Sequence, residues 1–269
     1  MGWKIINKNR CHPVSINILH TPMPSLSQGR KIIERTLKFF DVPGKIATRH
    51  IRRLNNKEFL QPPFSTFNER PVEYRFVFEQ IQQFYPKTVL DIGTGVTALP
   101  HLMANCGCHV TAIDNVRDYW SHGMFNRHYH IIDDDIVHTS LSGTYDLITC
   151  ISTLEHIEDF PKAVESMFSL LKSGGRLVLT FPYNEKEFIP NVYALPGSHV
   201  KKLPAYSTHA FSRSEIQNWT ERYGARILKQ EYWRFFTGPY WTVGERLLPP
   251  VQVGAENAHQ ISCIVFEKI

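Results

Sequence analysis

The chain has 269 residues, of which 42% are apolar, and a formal charge of +5 at neutral pH. This length suits one large α/β domain with a helical appendage, and the apolar content excludes wholesale disorder. No run approaches about 18 apolar residues, and no secretory apolar stretch lies near the start, so we expect no membrane span and a cytoplasmic location. The mild basic excess lies mainly within residues 45–57 and is much weaker than in nucleic-acid binders, so we do not expect nucleic acid as a partner.

The first part of the sequence predicts an N-terminal arm and a helical cap over residues 1–70. Residues 1–26 contain three prolines and show no clear period, which is typical of a loop or a loosely docked arm. Apolar residues at helical spacing predict a helix over 28–40, which the Asp41-Val42-Pro43-Gly44 segment ends. A second helix is expected over 45–55, with the basic residues on it.

From residue 72 onward, strand and helix patterns alternate, as in a parallel sheet covered on both faces. We therefore predict an α/β fold with a doubly wound, mostly parallel seven-stranded sheet in a domain over 71–269. The expected strands are 88–92, 109–113, a short one within 126–132, 145–151, 176–181, 227–233 and 261–267; the expected helices are 72–84, 97–105, 160–171 and 214–223. The segment 183–211 interrupts the alternation after a strand end, and we expect it to form a substrate-side insert. The irregular stretch 237–257 is a second candidate wall of the substrate pocket.

Cysteine usage predicts neither a disulfide framework nor a metal site. The five cysteines are an odd number in a long chain. The Cys106-Gly107-Cys108 segment is too tight for the usual zinc spacing, so we interpret both cysteines as buried small hydrophobic residues.

The turn after the first predicted strand carries the strongest functional signal. Gly93 and Gly95 follow Asp91, and glycine lets a backbone approach a ligand closely because no side chain intervenes. Asp114, 23 residues after Asp91, ends the second predicted strand, where a carboxylate accepts the ribose hydroxyls of a nucleoside. Ala98 is a permitted third position of a dinucleotide fingerprint, so the glycines alone do not exclude a nicotinamide cofactor. The acid before the glycines would repel a pyrophosphate but attracts the ammonium and sulfonium cations of S-adenosylmethionine, which is therefore the expected cofactor.

The segment Val89-Leu90-Asp91-Ile92-Gly93-Thr94-Gly95 resembles the first motif of class I, Rossmann-like, S-adenosylmethionine-dependent methyltransferases. Further pieces similar to that family follow in order: Asp114, Asp135-Ile136, the Tyr145–Ile157 run and the Leu170-Leu171-Lys172-Ser173-Gly174-Gly175 turn. The resemblance covers about 88–181 and implies an enzyme. It implies these cofactor-binding residues: Asp91, Gly93, Thr94, Gly95, Asp114, Asn115, Asp135, Ile136, Ile151 and Ser152. The upstream segment 68–74 is also similar to segments in members from surface-glycan and natural-product pathways.

Two histidines are the candidate catalytic residues. His156 follows the fourth predicted strand, at the edge where the methyl group should lie, and can serve as a general base or position the acceptor. His209 lies in a segment that resembles the approach to the last helix in small-molecule and sugar methyltransferases. The alternatives are a capping or supporting role for His156 and a loop role for His209. Glu155 is interpreted as a helix-start acid.

The sequence lacks two motifs that other classes of methyltransferase carry, and this narrows the class of acceptor. The segment Ile151-Ser152-Thr153-Leu154 stands where amide and exocyclic-amine methyltransferases often carry an Asn/Asp-Pro-Pro-Tyr/Phe motif, and no Pro-Cys nucleophile is present. We therefore predict methyl transfer to a small molecule or glycan, at an oxygen of a sugar, glycan or secondary metabolite. A non-catalytic protein of the same fold and an RNA methyltransferase are the alternatives.

Overall fold

The computed structural model describes residues 42–57, 60, 67–120, 123–200 and 206–269. The chain divides into two units, Met1–Thr66 and Phe67–Ile269, and each is described by itself. The predicted N-terminal arm and the predicted helix over 28–40 lie outside the described residues.

In the first unit, residues 42–57 form helix α1. The helix begins three residues before its predicted start, because Pro43 is favoured in a first helical turn, where its missing N–H costs no hydrogen bond. The side chains of the basic segment 45–57 are exposed, as expected for the solvated face of a helix.

In its described residues, the second unit is built on eight strands. They are β1 (Thr88–Ile92), β2 (His109–Asp114), β3 (Ile132–Asp133), β4 (Tyr145–Ile151), β5 (Leu171–Pro182), β6 (Ala225–Phe236), β7 (Arg246–Val253) and β8 (Ile261–Lys268). Their order in the sheet is β3-β2-β1-β4-β5-β8-β6-β7. Neighbours from β3 to β5 pair in parallel, whereas β8, β6 and β7 are joined by antiparallel pairing. The crossovers change direction between β1 and β4, which makes this pair the switch point where open α/β sheets bind ligands.

Five helices accompany the sheet in this unit: α2 (Arg70–Phe84), α3 (Leu99–Asn105), α4 (Val116–Tyr119), α5 (Phe160–Leu170) and α6 (Arg213–Tyr223). Leu90 and Ile92 share one core cluster with residues of α5 and α6, whereas Val89 shares another with residues of α2 and α3. Successive strand residues face opposite sides of a sheet. Asp91 therefore points to the side covered by α2 and α3. Within the described ranges, no helix is long and apolar enough to cross a membrane.

Most predicted elements are confirmed, and the errors lie where side chains gave a misleading signal. The sheet has eight strands and not seven, because β7 lies within 237–257. Its Pro249 and Pro250 indicated a break, and they lie in an irregular stretch between the paired residues Arg246 and Val251 of this edge strand, where neither proline takes part in the pairing. The strand predicted within 126–132 is reduced to the two residues of β3, and β5 begins at Leu171 because that residue pairs with Tyr145 before a bulge.

Local capping and packing confirm some of the finer predictions. Ser212 and Glu215 form a capping box at the start of α6, which begins one residue before the predicted start at 214. Cys108 is buried, but Cys106 is exposed, so the prediction that both cysteines are buried is wrong for Cys106. No group of three or more metal-ligating side chains occurs among the residues that the structure describes.

Candidate functional site

The turn after β1 has a backbone that requires glycine. Gly93 and Gly95 have φ values of 69° and 57°, in the left-handed region that side chains disfavour. A Cβ atom on Gly93 would also overlap the side chain of Thr153, just after β4. The turn is fixed to β2 because the N–H groups of Gly93 and Thr94 donate to the Ile113 carbonyl at 2.9 and 3.3 Å. The glycines thus bring the ends of three strands together.

The Asp91 carboxylate is buried at the base of this turn, with 2% of the residue exposed. Its Oδ2 accepts from the Thr94 hydroxyl and its Oδ1 from the Thr149 hydroxyl, each at 2.7 Å. Burial raises the pKa of Asp91 to about 6, although both hydroxyl groups oppose this shift. Neutral hydroxyls orient the carboxylate without neutralising it, so a cation placed beside it would be strongly favoured.

The structure brings Asp114 against the same turn. Its Oδ2 accepts from the Gly95 N–H at 2.7 Å, and its Oδ1 accepts from the Trp120 indole N–H at 2.8 Å. The Asp114 carbonyl accepts from the Asp134 N–H at 3.1 Å, which places the segment after β3 beside β2. Asp91 and Asp114 therefore lie on either side of the glycine turn, as a nucleoside site requires.

Three other predicted cofactor residues have local structural duties. Asn115 caps α4 by accepting from the Asp118 N–H at 3.1 Å, and Asp135 caps the following 3-10 turn by accepting from the Val137 N–H at 2.9 Å. Ile136 belongs to the core, with 3% exposure. Their contacts with an adenine ring stay a prediction.

The predicted residues after β4 lead to a network that the sequence did not reveal. The Ser152 hydroxyl donates to Glu73 Oε1, which also accepts from the Thr180 hydroxyl at 2.8 Å. Glu73 Oε2 accepts from Arg70 Nη1 at 2.6 Å. Glu73 is fully buried, so this carboxylate fixes α2 and its Arg70 to the ends of β4 and β5.

A cleft with about 240 Å³ of empty volume, partly open to solvent, lies beside the glycine turn. Its lining residues are Arg70, Tyr74, Asp91, Ile92, Gly93, Thr94, Thr97, Leu99 and Ile151. The cleft thus carries a fixed guanidinium at one place and a carboxylate at another, which suits an amino-acid group with its own carboxylate and ammonium. Sequence reasoning missed Arg70 and Tyr74, although it singled out the segment 68–74 that contains both.

His156 is held by backbone and side-chain oxygens of the insert. Its Nδ1 lies 3.2 Å from both the Ser207 carbonyl and the Thr208 hydroxyl. A carbonyl can only accept, so Nδ1 carries the proton and Nε2 is left as the basic nitrogen. Burial lowers the pKa of His156, in the direction that keeps the ring neutral. The Tyr206 ring packs edge-on at 4.7 Å from the His156 ring.

Glu155 lies in the first turn of a 3-10 helix, as expected for a helix-start acid, and it is buried beside His156. Its side chain is 4% exposed, and Oε1 lies 3.9 Å from His156 Nε2. Oε2 has no hydrogen-bond partner among the described residues. Burial raises the pKa of Glu155 well above its ordinary value. An unpaired buried carboxyl of this kind is typical of a site that a ligand completes.

His209 is positioned differently from His156. Its Nδ1 donates to the Pro190 carbonyl at 2.7 Å, and its ring packs among Phe160, Phe188 and Phe211. Its backbone N–H donates to the Glu155 carbonyl at 2.9 Å. These contacts give His209 a packing and positioning role, and its catalytic role stays a prediction.

Comparison with known proteins connects this geometry to a family. A family model described as "Methyltransferase domain" matches residues 68–230. The chain belongs to this methyltransferase domain family.

Among similar curated proteins, the "Ubiquinone biosynthesis O-methyltransferase" of Coxiella burnetii (strain Dugway 5J108-111) is 29% identical over 170 residues, covering 59% of this chain and 71% of the relative. The protein of the same name from Bordetella avium is 29% identical over 150 residues, covering 52% and 61%. A solved S-adenosylmethionine-dependent methyltransferase from Clostridium acetobutylicum aligns with a TM-score of 0.48 and 14% identity, covering 82% of this chain and 99% of that one.

The methyltransferase is an enzyme, and S-adenosylmethionine is its cofactor. The residues around the glycine turn fit S-adenosylmethionine. A side chain at Gly93 would obstruct the turn, and a buried carboxylate at Asp91 without a neutralising hydrogen-bond donor suits a cationic ligand. Arg70 lines the same cleft, and its guanidinium is suited to bind the carboxylate at the amino-acid end of the cofactor.

Proposed function

We propose that this methyltransferase transfers a methyl group to an oxygen of a small-molecule acceptor, such as a sugar, a glycan or a secondary metabolite. The observation that carries this proposal is the pair formed by His156 and Glu155. An oxygen acceptor must lose a proton during transfer, and His156 Nε2 is a basic nitrogen at the C-terminal edge of β4.

In this proposal, Arg70 and Asp91 hold the amino-acid end of S-adenosylmethionine, and the glycine turn and Asp114 hold its ribose. The group supplies a methyl carbon already activated by a sulfonium. The adenine lies beside Asn115, Asp135 and Ile136, and Ile151 forms part of the wall of the cleft. Ser152 acts through Glu73, because its hydroxyl is already donated to that carboxylate.

The protein then has two tasks, to orient the acceptor and to remove its proton. The acceptor hydroxyl proton would pass to His156 Nε2, and the oxygen would take the methyl group as the methyl–sulfur bond breaks, with S-adenosylhomocysteine as the leaving group. The Glu155 carboxyl lies 3.9 Å from that nitrogen, next to the place where the imidazolium forms. The proton leaves to solvent when the ring returns to its neutral form.

The insert 183–211 serves as the wall of the acceptor pocket in this proposal. It presents Tyr206 against His156, and Tyr119 packs at 5.5 Å from Tyr206. Ring faces with polar edges suit the ring of a sugar or of a phenolic metabolite. The two relatives described above are named as O-methyltransferases, which further supports an oxygen acceptor.

An acceptor screen with a labelled methyl donor tests the proposal. The wild-type protein is incubated with panels of phenols, sugars, amines and RNA, and the methylated atom is identified by mass spectrometry and NMR. The Asp114→Ala variant is the control, because it should lose transfer to every acceptor. Methylated oxygen in a small molecule supports the proposal, whereas methylated nitrogen or salt-dependent transfer to RNA contradicts it.

A further inference from the structure

The indole of Trp120 occupies a position that the cofactor itself should need. Its Nε1–H donates to Asp114 Oδ1 at 2.8 Å. Its ring also covers Gly95, because a Cβ atom there would lie 3.5 Å from the Trp120 Cζ2 atom. The second oxygen of the same carboxylate accepts from the Gly95 N–H at 2.7 Å. Both oxygens of Asp114 are therefore engaged by donors of the chain.

The hydrogen-bonding chemistry makes the indole an equivalent of a ribose hydroxyl at this carboxylate. A carboxylate can only accept, and an indole N–H can only donate. A ribose presents hydroxyl donors to the same oxygens. The indole is also flat and aromatic, as a nucleobase is, so one side chain reproduces the hydrogen bond and the shape of part of a nucleoside.

The shape of the cleft agrees with this assignment. Its lining includes Asp91, Gly93 and Thr94 but does not extend to Gly95 or Asp114. The indole lies over these last two residues. The cleft thus lies at the expected amino-acid end of the cofactor site, and the indole of Trp120 lies at the expected nucleoside end, over Gly95 and against Asp114.

We propose that Trp120 sets the affinity of the cofactor site: its indole N–H is an internal competitor of the ribose hydroxyls for Asp114, and cofactor binding displaces it. This inference rests on the proposed role of Asp114 in holding the ribose. The apparent association constant is then the intrinsic one multiplied by the fraction of molecules in which Asp114 is free of the indole. Trp120 also packs edge-on against Tyr119 at 6.0 Å, and Tyr119 contacts Tyr206. Displacement of the indole would therefore alter the ring contacts on the acceptor side.

Calorimetry with S-adenosylhomocysteine on the full chain tests the competition. The Trp120→Phe variant keeps a flat ring but removes the N–H, so we expect its affinity to rise about tenfold, because one competing hydrogen bond to a charged group is lost. The matched control is Trp241→Phe, which removes an indole that packs against Phe235 and Phe236 and should leave the affinity unchanged. An unchanged or weaker affinity in Trp120→Phe overturns the inference and would indicate that the indole supports the bound nucleoside.

Fluorescence provides a second measurement. The difference between the wild-type and Trp120→Phe spectra isolates the Trp120 signal, which should shift on titration with S-adenosylhomocysteine as the indole leaves Asp114. A signal that does not change on saturation contradicts displacement. The Asp114→Ala variant distinguishes an error in the assignment of the cofactor site from an error in the proposed competition. If Asp114→Ala binds normally, the cofactor site itself is misassigned; if it fails to bind while Trp120→Phe is not tighter, only the competition is wrong.

Discussion

The cofactor end and the acceptor end of the site differ in how their buried polar groups are paired. At the cofactor end, Asp91 and Asp114 have hydrogen-bond partners on both carboxylate oxygens. At the acceptor end, Glu155 Oε2 and His209 Nε2 are buried without a partner among the described residues. Unpaired buried groups cost free energy unless something satisfies them. The carboxylates of the first end are paired by the chain itself, whereas two polar atoms of the second end are left for solvent or a bound molecule to pair.

Replacing His156 with alanine should give the largest effect on activity. A variant with normal activity would contradict the assignment of the acceptor end. Removal of a general base should lower kcat by about 10²–10⁴-fold, while S-adenosylhomocysteine affinity stays near the wild-type value. Burial lowers the pKa of His156, so the wild-type kcat should be constant from pH 8 to 7 and fall only below the ordinary histidine pKa, as the ring gains a proton. Steady-state kinetics across pH checks both points. The exposed His138, replaced by alanine, is the control, and equal losses in both variants would exclude His156 as the base.

Replacing Asp114 with alanine tests the cofactor end. We expect the affinity for S-adenosylmethionine to fall about 100-fold, because two hydrogen bonds from ribose hydroxyls to a charged group are lost. Calorimetry measures the change, and thermal unfolding shows whether the turn survives. The exposed Asp118, replaced by alanine in the same segment, should bind normally. Wild-type affinity in the Asp114 variant would contradict the assignment of the nucleoside site.

Replacing Arg70 with methionine sharpens the assignment of the cleft between these two ends. The affinity for S-adenosylmethionine should fall about tenfold, since a guanidinium–carboxylate hydrogen bond is lost. The affinity for decarboxylated S-adenosylmethionine should fall much less, because that compound lacks the carboxylate. Equal losses for both compounds would show that Arg70 acts only by holding Glu73 and α2.

The smallest expected effect concerns the support of the acceptor side. Ser212→Ala removes the capping box of α6 and should reduce the free energy of unfolding by about 1 kcal/mol. Chemical denaturation measures this change. Asn218→Ala, at an exposed position on the same helix, is the comparison and should cost less. Since the cap follows His209 in the chain, kcat should fall with little change in cofactor affinity; a loss confined to cofactor binding would argue against the separation of the two ends.

The sequence predicted the parallel half of the fold and the glycine turn because both depend on local patterns. The hydrophobic pattern of residues 88–181 directly indicates alternating strands and helices, with glycine immediately after a buried strand. The edge strand β7 escaped prediction, because Pro249 and Pro250 are compatible with a strand only at a sheet edge and where the pairing with the neighbour is irregular. That condition depends on the order of the strands and not on the residues.

The site was predicted in part for the same reason. Asp91 and Asp114 lie at fixed distances from the glycines in sequence. Arg70 and Trp120 lack such a marker, because folding alone brings α2 and the segment after α4 to the turn. The burial of Glu155 has no marker in the sequence, because an acid in the first turn of a helix is ordinarily solvated.

The position of β8 has a consequence for how the polypeptide assembles during synthesis. β8 is the last strand in sequence, yet it lies between β5 and β6 and pairs with both. β6 and β7 are made earlier and can pair with each other, but they cannot join the rest of the sheet until β8 has emerged from the ribosome. A nascent chain that stops short of β8 therefore exposes the open edges of both β5 and β6, the kind of surface that chaperones bind and that promotes aggregation.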